Sequence, residues 1–171
     1  ESATDIDLGI DLGTTRTVVA RADRGNYPVI SFTDEHGDEH DFIPSLTALH
    51  EGTLVHGFAA RQAAHQGAPL LRSLKRILAS PTLTASTPVR LGDSTFSVLE
   101  VLTSYLRHLK SELADRGIDI TRARVVVAVP AHAYGAQRLL TLEAFQQAGF
   151  HVAAMLNEPS AAGFEYTHRK A

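Results

Sequence analysis

The sequence predicts an α/β fold: a five-stranded mixed sheet, three strands antiparallel and two parallel, flanked by helices, with an inserted α+β subdomain. Three observations carry this reading. Ile6–Asp11 alternates apolar with polar residues and is followed by a Gly-Thr turn and a second apolar stretch, the pattern of a hairpin. Apolar residues from Val98 to Leu113 recur at helical spacing. Val125–Val129 (VVVAV) is a continuous apolar run, as expected of a central strand buried on both faces.

Each element follows in order. Ile6, Leu8 and Ile10 form one face of the first strand; Gly13-Thr14 makes the turn; Arg16–Ala22 is the return strand. Tyr27–Phe32 (YPVISF) reads as a third strand, completing an antiparallel meander. Residues 34–96 hold most of the prolines and histidines, apolar stretches at Leu46–His50 and Thr53–His56, and helical patterns near 58–66 and 69–79. Apolar residues continue throughout, so this segment reads as the inserted subdomain between core segments 1–33 and 97–171. Ser97-x-x-Glu100 is a capping box, in which the hydroxyl accepts from an early amide and the carboxylate reaches back. Gly117 stops that helix, and Gly149 stops a second over about 135–148. His151–Leu156 is the last strand, and Pro159 opens a final helix through Ala161–His168. Right-handed crossovers place the last two strands parallel to the first. This β-β-β, insertion, α-β-α-β-α order is that of a ribonuclease-H-like or actin-like lobe.

The composition narrows the function. The chain has 171 residues, 44% hydrophobic and 20% charged, which fits one domain or one lobe of a larger one. A net charge of −3 gives no nucleic-acid footprint, and the basic run Leu71–Arg76 is too short to supply one. There are no cysteines, hence no disulfide or thiolate metal site. No apolar run approaches the roughly 18 residues of a membrane span, so the expectation is a cytoplasmic protein with no membrane partner. His36-Gly-Asp-Glu-His40 has metal-ligand residue types but no recognisable ligand spacing, and reads as a solvated loop.

The strongest local signal is Gly9-Ile-Asp-Leu-Gly-Thr-Thr15. Gly13 lets backbone amides approach and cradle a phosphate, and Thr14 and Thr15 add hydroxyl donors. Asp11 repels a bare phosphate; beside one, it needs a cation, most simply magnesium held through water. On the turn alone, a plain hairpin with an exposed Asp fits equally well.

GIDLGTT resembles the first phosphate loop of the actin-like ATPases. Four further stretches, in the same order along the chain, resemble the seventy-kilodalton heat-shock chaperones of the DnaK type. Ile43-Pro-Ser45 with Leu54-Val-His-Gly57-x-Ala59-Ala60 is similar to that family's TPS and LIGxAA stretch. Leu74-Lys-Arg-Ile-Leu78 resembles AKRLIG. Val127-Ala-Val-Pro130-Ala131 with Gln137-Arg138 resembles ITVPAYF and QR, and Leu156-Asn-Glu-Pro-Ser-Ala-Ala162 resembles INEPTAAA. The resemblance implies a chaperone ATPase in which ATP, ADP and Mg2+ sit between two lobes. Lys75, Glu158 and Asp11 would be catalytic, Gly13, Thr14 and Thr15 phosphate-binding, and Asp11 and Glu158 would hold magnesium through water. Pro130 and Arg138 would pass the nucleotide state to a peptide-binding domain. Unfolded peptides, a co-chaperone and an exchange factor are the implied partners.

Departures from the family pattern point to a divergent member. His132-Ala-Tyr-Gly-Ala136 replaces an aromatic pair and Asn-Asp, Ser160 stands for Thr, and the stretch from Lys75 to Phe96 is short. A second phosphate loop and an adenosine pocket would lie beyond Ala171. The chain is therefore expected to be a truncated, monomeric piece that folds but hydrolyses ATP poorly or not at all. Two other functions share the first turn: a sugar-kinase-type phosphotransferase, and a non-enzymatic actin-like filament or binding module.

Overall fold

The computed structural model describes residues 6–71, 74–129 and 135–157. The chain opens with β1 (Ile6–Leu12) and β2 (Arg16–Arg21), then β3 (Phe32–Thr33), β4 (Glu39–His40), β5 (Ile43–Pro44), β6 (Thr47–His50) and β7 (Thr53–His56). Helix α1 (Gly57–His65), β8 (Leu70–Leu71), α2 (Leu74–Leu78) and the hairpin β9 (Pro88–Leu91) and β10 (Ser94–Ser97) follow. The remainder is α3 (Val98–Asp115), β11 (Ala123–Val129), α4 (Gly135–Gln147) and β12 (His151–Asn157).

The central sheet has five strands in the order β12-β11-β1-β2-β5. β1 pairs in parallel with β11, and β11 with β12; β2 runs antiparallel to both β1 and β5. This is the predicted mixed sheet, with three antiparallel and two parallel members. One strand has a different identity, because the third antiparallel member is Ile43–Pro44 and not Tyr27–Phe32. The 27–31 stretch runs beside the far end of β2 with a single bridge, Ala20 to Val29, and with Ile30 N donating to Val19 O at 2.8 Å. Pro28 has no N–H to give, so a full ladder cannot form there. β5 then takes the free edge of β2 nearest the turn, pairing Thr17 with Ile43 and Arg16 with Pro44.

The predicted helix near 69–79 is also divided. Leu70 and Leu71 complete a small sheet against Ala48 and Thr47, leaving only Leu74–Leu78 helical. Edge pairing overrides local helix preference here. The His36–His40 loop is a hairpin turn between β3 and β4. The Asp34 carboxylate accepts from the His36 and Asp38 amides at 2.8 and 2.9 Å and lies 2.7 Å from His40 Nε2. His40, foremost, holds the Asp34 carboxyl down to about 2. No cluster of three metal-ligating side chains occurs among the described residues.

Helix α3 is the spine of the core. Every apolar position that the helical periodicity selects is buried: Val98, Val101, Leu102, Tyr105, Leu106, Leu109 and Leu113. Its capping box is formed on both sides, with Ser97 Oγ accepting from Glu100 N at 3.1 Å and Ser97 N donating to Glu100 Oε1 at 3.3 Å. Gly117 (φ 82°) ends the helix; its N–H donates to Ala114 O while Ile118 N–H reaches back to Leu113 O. The same closure recurs after α4, where Phe150 N donates to Phe145 O at 2.9 Å and the two rings meet edge to face at 5.3 Å. In β11, Ala123, Val125, Val127 and Val129 are buried while Val126 and Ala128 are half-buried, so one face is sealed more tightly than the other. The helix expected over Ala161–His168 lies outside the described residues, as do Arg72 and Ser73. No described helix is long and apolar enough to cross a membrane.

A buried histidine makes part of this core sensitive to acid. His56 has Nδ1 2.9 Å from Thr47 Oγ1 and Nε2 2.7 Å from Ser104 Oγ, with the Tyr105 and His108 rings against it. Burial, aided by repulsion from His108, lowers its pKa from 6.5 to about 3. Between those values the unfolded chain binds a proton that the folded chain refuses, so stability falls as pH falls from about 6.5 towards 3. Burial also lowers the His108 pKa and raises that of Glu112, 4.0 Å from it. Urea unfolding at pH 7.5 and 5 should show a loss of at most about 1.4 kcal/mol per pH unit from His56. His56→Gln should flatten the dependence measurably; an unchanged slope would contradict this assignment.

Candidate functional site

β1 and β11 run in parallel and end together, with Asp11 beside Ala128. In open α/β sheets the carboxyl ends of parallel strands are where ligands bind. A cavity opens there, lined by Leu12, Gly13 and Thr14 from the end of β1, by Ala128 and Val129 from the end of β11, and by Lys75 from α2. Thr17, Ser45 and Tyr105 line it from one side and Gln137 and Thr141 of α4 from another. Loop, strand and helix thus bring a glycine turn, hydroxyls, an amide and an ammonium group to one concavity.

The turn is tight for a local reason. Gly13 N donates to Arg16 O at 2.9 Å, closing the chain between Leu12 and Thr17, which pair across β1 and β2. A Cβ on Gly13 would stand 2.5 Å from that same Arg16 oxygen, so only glycine fits. Thr14 and Thr15 are exposed on the turn. Its outer side is clamped, because Ser45 N donates to Thr15 O at 3.0 Å. Arg16 points away over the Phe42 ring, 4.2 Å from its centre.

The predicted site residues separate into groups. Gly13, Thr14 and Lys75 line one cavity, although 61 or more positions separate the lysine from the turn. Asp11 is exposed at the end of β1, directly before the cavity-lining Leu12, and Thr15 sits on the turn. Arg138 lies on α4, where its guanidinium donates to Asn157 Oδ1 at 3.1 Å, tying the helix to the end of β12. Pro130 and Glu158 lie outside the described residues, immediately after β11 and β12. Thr17, Tyr105 and Thr141 were not singled out by sequence as site residues. Their only signal is a hydroxyl on an otherwise apolar face, as at Tyr105 in the α3 stripe.

Hydroxyl-bearing Thr14, Thr17 and Ser45 and the half-buried Lys75, groups that suit anionic oxygens, share one space whose remaining lining is largely apolar, including Leu71, Leu74, Leu78 and Leu102. Asp11, exposed and next in sequence to the cavity-lining Leu12, carries a carboxylate of the kind that suits a hydrated divalent cation. A five-stranded mixed sheet, three strands antiparallel and two parallel, flanked by helices, is the architecture of a lobe of the actin-like ATPase class.

Comparison with known proteins assigns it further. The family model described as "Hsp70 protein" matches residues 76–171. The chain is 34% identical over 161 residues to "Chaperone protein DnaK" of Halobacterium salinarum, covering 93% of this chain and 24% of that protein. It is 35% identical over 179 residues to "Chaperone protein HscA homolog" of Laribacter hongkongensis, covering 93% and 28%. Against "Chaperone protein DnaK" of Mycoplasmopsis agalactiae it is 30% identical over 164 residues, covering 96% and 26%. The chain belongs to the Hsp70 family. It spans about a quarter of the length of the curated relatives it matches.

The fit at Gly13 can be tested without any ligand. Gly13→Ala should force the turn open, cost about 1–3 kcal/mol in unfolding free energy, and speed amide exchange at residues 13–16. Unchanged protection there would show that the turn tolerates a side chain.

Proposed function

We propose that this chain is the ATP-binding half of a chaperone ATPase that couples ATP hydrolysis to the binding and release of unfolded peptides. The observation that carries the reading is the meeting of the Gly13–Thr14 turn and Lys75 in one cavity at the ends of β1 and β11. Family membership supports it, since the relatives named above are chaperone proteins.

In this reading the amides and hydroxyls of Thr14 and Thr15 bind the β- and γ-phosphates, and Gly13, whose own N–H is held by Arg16 O, lets the backbone approach them closely. Lys75 offsets negative charge on the transferred phosphoryl group and orients the attacking water, an electrostatic role in a reaction governed by positioning. Asp11 and Glu158 would hold, through water, a magnesium ion that would supply neutralisation of phosphate charge. Pro130 and Arg138 pass the nucleotide state to a peptide-binding domain, with Arg138 acting from its contact to Asn157, the neighbour of Glu158. The division into core segments 1–33 and 97–171 and an insert at 34–96, a cytoplasmic location, and dependence on a co-chaperone and an exchange factor belong to the same reading.

The test is phosphate release from Mg-ATP by the full-length protein, alone, with an unfolded peptide, and with a panel of sugars. Slow release that rises with peptide is expected, and Lys75→Ala should reduce it by roughly a hundredfold. Sugar-dependent ATP consumption would move the protein to the kinase branch. No release under any condition would leave a binding role.

A further inference from the structure

We infer that Tyr105 is a positioning residue for the phosphate turn, acting through a buried set of hydroxyls that joins helix α3 to the two chain segments holding that turn. The inference rests on the nucleotide reading of the site given above.

Tyr105 is the one hydroxyl-bearing aromatic in the buried stripe of α3, whose other large members are Val and Leu. A phenylalanine would fill the same volume. Burying a phenol has a cost unless its hydroxyl is paired. Here Oη lies 2.7 Å from Thr17 Oγ1 and 3.3 Å from Pro44 O, to which it is placed to donate. Both partners are distant in sequence, 88 and 61 positions away, so the pairing is a tertiary one.

Thr17 is wholly buried and pairs with Leu12, so it is the residue that closes the turn. Its Oγ1 also lies 3.1 Å from Ser45 Oγ. Ser45 in turn donates its N–H to Thr15 O, a carbonyl of the turn itself. A continuous path therefore runs from α3 through Tyr105, Thr17 and Ser45 to Thr15. All three hydroxyl side chains line the cavity shared by Gly13, Thr14 and Lys75. Burial pushes the Tyr105 phenol up to about 12, so it stays a neutral hydrogen-bonding group through the physiological range.

The consequence is mechanical. A phosphate cradle works when its amides are held in place before the ligand arrives, and small displacements lose much of the interaction. β5 contributes only two residues to the sheet edge, and the turn rests against the loop that follows it. The hydroxyl set fixes that short segment to the long helix behind it. No part of Tyr105 need touch the ligand.

The experiment measures Mg-ADP affinity by calorimetry, and thermal unfolding without nucleotide, on the full-length protein. The variants are Tyr105→Phe, Thr17→Val, Thr17→Ser and the Tyr105→Phe/Thr17→Val pair. Tyr105→Phe and Thr17→Val, each of which removes a hydroxyl with two partners, should each weaken binding roughly fivefold, about the net worth of one hydrogen bond. Thr17→Ser, which keeps the hydroxyl, should bind within about twofold of the unaltered protein. The pair should bind no more weakly than the worse single variant by more than about twofold, since both act along one path. A fall in melting temperature with unchanged affinity would overturn the inference and leave Tyr105 a packing residue. Full additivity in the pair would overturn the shared path. If the unaltered protein binds no Mg-ADP, the nucleotide reading itself fails; if it binds and the variants bind alike, only the positioning role falls.

Discussion

The parallel register between β1 and β11 is the constraint on which the site depends. Leu8 faces Val125, Ile10 faces Val127 and Asp11 faces Ala128, so both strands end at one level. Leu8, Ile10, Val125 and Val127 are all buried in the main core. A slip of one residue would turn these side chains to the opposite face and move Asp11 and Gly13 off the edge. The apolar pattern of two short strands thus decides where the turn emerges. The bidentate pair of Arg124 with Asp7, 2.9 and 3.3 Å, marks the same register from the other end. Its two partners are exposed, so it contributes specificity more than energy.

Around that frame the protein places polar groups inside its core in two clusters that meet where the Tyr105 ring stands edge-on to His56, 5.6 Å between centres. One is the Thr17, Ser45 and Tyr105 hydroxyl set beneath the turn; the other is His56 with Thr47, Ser104 and His108. In both, a short strand of the 34–96 segment is fastened to α3 by directional bonds as well as packing. Apolar contact alone would let such short strands slide, because it has no preferred register; hydrogen bonds between buried partners do. Thr103 Oγ1 is the buried side-chain atom without a partner among the described residues, and nothing in the structure explains it.

Much of this was legible in the sequence. The α3 stripe, its capping box and its glycine stop are local, periodic signals, and each appears where the pattern puts it. The turn was legible because glycine is demanded by backbone geometry, here the approach of Arg16 O. What escaped has a common cause. Ile43–Pro44 and Leu70–Leu71 are two-residue strands, too short for any alternation, and they exist only because a partner edge is available. Tyr27–Phe32 has strand composition, yet Pro28 denies it a ladder and the edge nearest the turn goes to β5. Tyr105, Thr17 and Thr141 were hidden for the complementary reason: their positions read as core, and only tertiary structure brings their hydroxyls to a cavity.

In the proposed function the Gly13–Thr15 turn and Lys75 form one half of a phosphate site. A crystal structure of the full-length protein with Mg-ADP and inorganic phosphate tests it most directly. Phosphate oxygens are expected on the amides and hydroxyls of Thr14 and Thr15, packed close to Gly13, with Lys75 Nζ within hydrogen-bond reach and Asp11 on the metal's water. Phosphate groups bound elsewhere, with the turn and Lys75 contacting neither, would contradict it.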